Sequence, residues 1–163
     1  MTTMAIDPGP VQSAYVVMTH DMQIVAKGIL ENWQLRSRIC TSFCDTVVIE
    51  QIKSYGMSVG ESIFRTCYES GRMIEAAQSS EKAVYMLPRA KVKIHVCGSM
   101  RAKDGNIRQA IIDRYPATGG GKLPQIGIKS APGPLFGVSK DVWAALAVAI
   151  TFVEAPGQAS KVV

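Results

Sequence analysis

Histidine is nearly missing from this chain: His20 and His95 are the two present. His20 has no serine or cysteine near it in a nucleophile setting, so a Ser-His-Asp hydrolase is not supported. Cysteine is sparse as well. Cys40, Cys44, Cys67 and Cys97 among 163 residues make no disulfide framework; they read as reduced core thiols of a cytosolic protein. Cys40-x₃-Cys44 and His95-x-Cys97 do not combine into a zinc site, because neither spacing nor partners fit. Long apolar runs are absent. The longest, 142–153, falls far short of the ~20 residues of a membrane helix. The opening MTTMAIDPG has no basic start followed by an apolar core, so no secretion signal is expected. No internal repeat is found. Gly119-Gly120-Gly121-Lys122 is not a phosphate-binding P-loop, since the glycine spacing fails and Leu123 replaces Ser or Thr. Acids are outnumbered, 13 against 18 Lys and Arg, for a net charge of +5. That balance suggests a polyanionic partner.

What is present suits a globular fold: 47% apolar and 19% charged residues, with no compositional sign of disorder. Thr3–Asp7 and Ser13–Thr19 read as the arms of a hairpin broken at Asp7-Pro8-Gly9-Pro10. Residues 23–29 suggest a third strand, and 32–45 a helix or irregular crossover. Thr46-Val47-Val48-Ile49 is a buried strand with Glu50 directly behind it. Ser58-Val59-Gly60-Glu61 fits a capping box. Val59, Ile63, Cys67, Ile74 and Ala77 then recur as one apolar stripe of a helix over 58–78. Ala83–Leu87 is a strand stopped by Pro88. In 89–96, Arg89, Lys91, Lys93 and His95 alternate with apolar residues, the period of a strand with one basic face. A helix follows at 103–115. Residues 116–137 are rich in Gly and Pro and read as a long mobile loop that touches DNA. The closing helix starts near Ser139 with Asp141 in its first turn. Together these predict an α/β fold in one domain, 1–155, and a flexible tail, 156–163.

Three carboxylates flank buried segments. Asp7 ends the first strand, Glu50 the fourth, and Asp141 opens the last helix. Ligand sites of open α/β sheets lie at the carboxyl ends of strands. If the first and fourth strands are neighbours, Asp7 and Glu50 share one edge and the helix brings Asp141 to them. Three clustered carboxylates repel unless a cation neutralises them. Oxygen donors select Mg²⁺ or Mn²⁺, and two such ions ~3.5–4 Å apart serve attack on a phosphodiester. Blander readings exist: Asp-Pro-Gly is ordinary turn chemistry, and an Asp at a helix start favours the dipole. Glu50 has no turn partner to explain it.

Ala5-Ile6-Asp7-Pro8-Gly9, Val48-Ile49-Glu50-Gln51 and Asp141-Val142-Trp143-Ala144-Ala145-Leu146-Ala147-Val148-Ala149 resemble, in order and spacing, the motifs of RuvC-type Holliday junction resolvases. The match is nearest the small phage-type members of this ribonuclease-H-like group. Arg101–Gln109 resembles the family's Lys-bearing segment, and the likeness runs over about residues 3–153. It implies a five-stranded mixed sheet flanked by helices and a homodimer, for which 58–78 is the expected surface. It further implies a metal-dependent, structure-selective DNA endonuclease with two Mg²⁺ (or Mn²⁺) per site on Asp7, Glu50 and Asp141. By the same likeness Lys103 lies by the scissile phosphate, Lys93 contacts DNA, and 89–96 is helical, which is the reading adopted over the alternation. The resemblance also implies cleavage of a four-way junction that leaves a 5′-phosphate and a 3′-hydroxyl. One departure stands out: Ala144 replaces the second Asp that bacterial members carry three residues after the first. Asp104 is a conceivable stand-in.

Arg89, Lys91, Lys93, Arg101, Lys103 and Arg108 face one acid, Asp104, within 89–108. Beside a carboxylate pocket such a cluster would engage phosphates; otherwise it is a solvated basic face. Tyr55, on the loop QIKSYGMSVG, is placed to stack on an unpaired base or to pack on the following helix, with Lys53 a phosphate contact. The alternatives left open are a ribonuclease-H-type enzyme acting on RNA or simpler branches, and a junction-binding protein with catalysis weakened at Ala144.

Overall fold

A computed structural model describes residues 1–163 apart from Tyr55 and Met57. The hairpin forms where the turn chemistry puts it. Strand β1, Thr2–Asp7, pairs antiparallel with β2, Gln12–Thr19, and β2 with β3, Ile24–Glu31. Helix α1, Asn32–Thr41, replaces the loosely read 32–45 stretch. Strand β4, Thr46–Gln51, then runs parallel to β1, Ile6 opposite Ile49, and parallel to β5, Ala83–Pro88. Helix α2, Glu61–Ser79, supplies the crossover between them. Helices α3, Arg89–Cys97, and α4, Asp104–Arg114, follow. A two-residue ladder of β6, Gly127–Ile128, and β7, Ala131–Pro132, precedes α5, Val142–Glu154.

The sheet has six strands, not the five expected. Its order is β3-β2-β1-β4-β5-β8. The extra edge comes from the segment expected as a flexible tail: after one 3₁₀ turn at Pro156–Gln158, β8, Ser160–Lys161, pairs antiparallel with Met86 and Tyr85 of β5. β5 has an open hydrogen-bonding edge there, and a short polar strand covers it.

Strand alternation divides the core between the two sheet faces. Met4, Ile6, Val47 and Ile49 pack with Leu35, Ile39, Met73 and Ala77 of α1 and α2. Ala5, Val48 and Leu87 point the other way, into a layer built by α3, α4 and α5. α5 lies centrally in that layer, with Ala145, Leu146, Val148, Ala149 and Ile150 fully buried.

The local differences from expectation have physical causes. α3 is a helix, as the adopted reading has it and against the alternation: Val92 and Val96 are buried while Ile94 is 47% exposed. That is i,i+4 spacing, whereas in a strand all three would share one face. α2 begins three residues later than expected, at Glu61, with Gly60 as its N-cap residue and no side-chain cap from Ser58. Its buried face is Thr66, Glu69, Ser70, Met73 and Ala77, with Ile74 partly buried beside it; of the predicted stripe, Ala77 and Ile74 face the core while Val59, Ile63 and Cys67 are exposed. Arg36 of α1 pairs with Glu69, which lets a carboxylate take a place in that contact; Phe64 and Tyr68 are left 64% exposed. Of the four thiols, Cys44 is in the core, Cys97 is half-buried, and Cys40 and Cys67 are exposed. Among the described residues, no helix is long and apolar enough to cross a membrane.

Candidate active site

Strand parity puts Asp7 on the same side as Ala5, and Glu50 on the same side as Val48. Both carboxylates therefore rise from the carboxyl ends of adjacent parallel strands toward α3, α4 and α5. The turn behind Asp7 is tightly built. Gly9 N–H donates to Ser13 Oγ at 3.1 Å, Ser13 Oγ donates to Asn32 Oδ1 at 2.7 Å, and Asn32 Nδ2 donates to the Gly9 carbonyl at 3.0 Å. A Cβ on Gly9 would stand 2.3 Å from the Gln12 carbonyl oxygen, so only glycine fits this turn.

Asp141 approaches from the third direction. It is the N-cap residue of α5, one position before the first turn in which it was expected, and its side chain caps no backbone N–H. That side chain faces a cavity of about 110 Å³ lined by Asp7, Arg89, Asp104, Ile107, Lys140, Asp141, Trp143 and Ala144. Asp7 feels the cluster. Burial first, then the charges of Glu50 and Asp141 against the opposing pull of Arg89, push its carboxyl up to about 7. Glu50, 8% exposed, is raised by burial although Arg89 pulls it down.

Arg89 is the feature that the sequence pattern did not single out within its basic cluster. Its guanidinium donates to Glu50 at 3.1 and 3.2 Å and to Asp104 at 2.7 Å. It follows directly on Pro88, the last residue of β5, so the strand-end rule that marks Glu50 also marks Arg89. In effect the protein supplies one cation to the acidic cluster itself. Asp104, the first residue of α4, joins through that ion pair.

The remaining basic residues divide. Helical spacing puts Arg89 and Lys93 on one face of α3, and Lys93 is near enough to Glu50 to draw its carboxyl downward. Lys91 instead donates to the Gln158 carbonyl at 2.7 Å, and His95 bonds Glu154 at 2.6 Å. Lys103 is the exposed N-cap residue of α4, its N–H donating to Asn106 Oδ1 at 2.9 Å; it does not line the cavity. Arg101 and Lys53 are exposed. Arg108 lies over the Trp143 ring, 5.3 Å from its centroid. Tyr55 falls outside the described residues.

The donors are carboxylate oxygens, the chemistry that hard divalent cations take. Among the described residues, no three His, Cys, Asp or Glu side chains are grouped closely enough to enclose one ion. Arg89 already engages Glu50, and Ala144 contributes a methyl group to the cavity where a fourth carboxylate would enter.

No protein-family model matches the chain, and no curated protein matches it. Solved structures do. The structure of Thermus thermophilus RuvC superposes with a TM-score of 0.71 over 99% of this chain and 100% of that one, at 16% identity. T. thermophilus RuvC in complex with a Holliday junction substrate gives 0.72, with 99% of each chain covered, at 18% identity. The fold is RuvC-like. The mixed sheet with helices on both faces is thus shared along the whole chain, at an identity that speaks for architecture alone.

Proposed function

We propose that this chain is a metal-dependent, structure-selective DNA endonuclease that resolves four-way junctions, of the small phage type that its motifs resemble. One observation carries the reading. Asp7 and Glu50, far apart in sequence, rise on one side of the sheet at the carboxyl ends of β1 and β4, and Asp141 at the start of α5 lines one cavity with Asp7, within a RuvC-like fold. The second T. thermophilus RuvC structure holds a Holliday junction substrate, which supports branched DNA as the ligand class.

Asp7, Glu50 and Asp141 would hold Mg²⁺, or Mn²⁺ in its place, two ions per site. Such ions supply an activated water and charge neutralisation at the phosphodiester. The chain's own groups prepare the site. Arg89 keeps Glu50 oriented into the cluster and offsets its charge until it is needed there. Lys93, Arg101, Lys103, Arg108 and Lys53 supply cations for phosphates around the scissile bond, and Lys103 is the candidate to stabilise developing charge. Tyr55 is the candidate to stack on an unpaired base. Two copies would nick opposite strands of a symmetric junction; the exposed Phe64 and Tyr68 of α2 support pairing through that helix.

A second reading, a junction-binding protein with weakened catalysis, is favoured by Ala144 and by the Arg89–Glu50 pair. The deciding experiment compares a four-way junction, a flap, linear duplex and an RNA–DNA hybrid, with wild type and Asp7→Asn, in Mg²⁺, in Mn²⁺ and in EDTA. Metal-dependent nicking of the junction by wild type alone is expected. Binding in EDTA without cleavage in either metal selects the second reading, and cleavage of the hybrid in preference to the junction overturns the DNA assignment.

A further inference from the structure

The segment between α4 and α5, expected as a mobile loop, is a compact knot. Gly119 N–H donates to the Pro124 carbonyl at 2.8 Å, Gly120 N–H to Ala131 at 2.9 Å, Gly133 N–H to Ile126 at 2.9 Å and Leu135 N–H to Gln125 at 2.9 Å. Three glycines meet backbone to backbone. A Cβ on Gly127 would stand 2.2 Å from Gly133 N, and one on Gly119 would stand 2.6 Å from the same nitrogen. Leu135 and Val138 are buried and pin the knot to the core under α5.

The knot is also one-signed. Residues 115–140 contain no Asp or Glu, and contain Lys122, Lys129 and Lys140. Lys129 occupies the turn joining β6 to β7 and is exposed. Gly120 and Gly121 lie against Ile128, within 3.4 and 2.9 Å of its side chain measured from an added Cβ, which brings exposed Lys122 beside that tip. The chain then returns past Lys27 of β3, whose Nζ comes within 3.9 Å of a Cβ built on Gly137. It ends at Lys140, in the wall of the acidic cavity. Three cations thereby sit on one stiff piece of chain that runs from an exposed tip to the candidate active site, with Lys27 of β3 beside its path.

We propose that this knot is a preformed phosphate-binding arm. It grips the backbone of one junction arm through Lys122 and Lys129 and hands the strand toward the cavity past Lys27 and Lys140. The inference rests on the nuclease reading and extends it to a surface separate from α3 and α4. Rigidity matters because lysines held in place lose less freedom on binding than lysines on a loose loop.

The test measures binding of the full chain to a four-way junction in Ca²⁺ by fluorescence anisotropy, across a salt series and a series of shortening arms. Wild type is compared with Lys122→Ala/Lys129→Ala and with Lys122→Arg/Lys129→Arg. Each phosphate contact contributes roughly 0.9 to the slope of log K against log salt. The alanine pair should lower that slope by about 1.8, and the arginine pair should keep it. Wild-type affinity should fall as the arms shorten, and that of the alanine pair should fall less. If wild type binds the junction and the alanine pair shows the same slope and the same arm dependence, the knot is not a DNA surface and the nuclease reading stands. Loss of slope in the arginine pair too would assign the knot a shape-dependent role instead of this one. A wild type that binds no DNA overturns both readings.

Discussion

Asp7 is the carboxylate on which the proposed chemistry rests, and its burial carries a cost. With its carboxyl at about 7 in the fold against 3.8 in an unfolded chain, the native state binds the extra proton between those values. Stability without metal therefore falls as pH rises from 4 to 7, and the lost amount is at most about 4 kcal/mol at ~1.4 kcal/mol per unit. Asp7→Asn should abolish nicking and, in EDTA at pH 8, raise the thermal midpoint; a lowered midpoint would show that the carboxylate is not under electrostatic strain. Arg89 relieves part of that strain. Arg89→Ala leaves Glu50 buried without its partner, and a loss of about 1–3 kcal/mol at neutral pH is expected from denaturant melts, shrinking as acid protonates Glu50. Ala144→Asp should tighten Mn²⁺ binding by calorimetry and raise junction cleavage, since the cavity wall at that position gains an oxygen donor. Of the three acids, Glu50 alone stands out by its placement directly behind an apolar strand, since a turn and a helix start are ordinary places for Asp7 and Asp141; the set as a whole is picked out by the ordered motifs of the resemblance. Arg89 was visible only as one cation among six, since nothing in a linear pattern tells which one folds inward.

At the scale of elements, compositional contrast decides what can be read. β1, β4 and β5 are β-branched or apolar runs bounded by turn chemistry, and they appear where expected. In α3 the basic residues alternate over eight positions, so the helix was legible through the resemblance and not through the pattern; its spacing is seen in the burial of Val92 and Val96 against the exposure of Ile94. The β6–β7 knot was illegible for a different reason: glycine and proline signal turns equally well in loose and in close-packed chain, and only backbone contacts tell them apart. α5 is the element on which the site depends most. Leu146→Ala, at a position with no exposure, should cost about 2–5 kcal/mol in a urea melt and weaken junction cleavage through Asp141; an unchanged midpoint would mean that the layer repacks around the gap.

For the whole molecule, charge dominates. Net charge is +5, yet the acidic pocket sits inside a positive surround, so junction affinity should drop steeply with salt while the metal requirement persists. The face of α2 that carries Phe64 and Tyr68 lies on the opposite side of the sheet from the carboxylates. Phe64→Glu with Tyr68→Glu should give a monomer by light scattering with an intact fold, because both side chains are exposed. A dimer that survives would place the contact elsewhere.

The last helix fills the middle of one core layer, with ten buried residues, and its cap contributes Asp141. A ribosome-bound chain that stops short of residue 141 lacks both, so that side of the sheet loses the central helix of its cover and the carboxylate set is incomplete. On the nuclease reading, synthesis itself withholds activity until the closing helix has left the exit tunnel, and chains halted before it should show no cooperative melt.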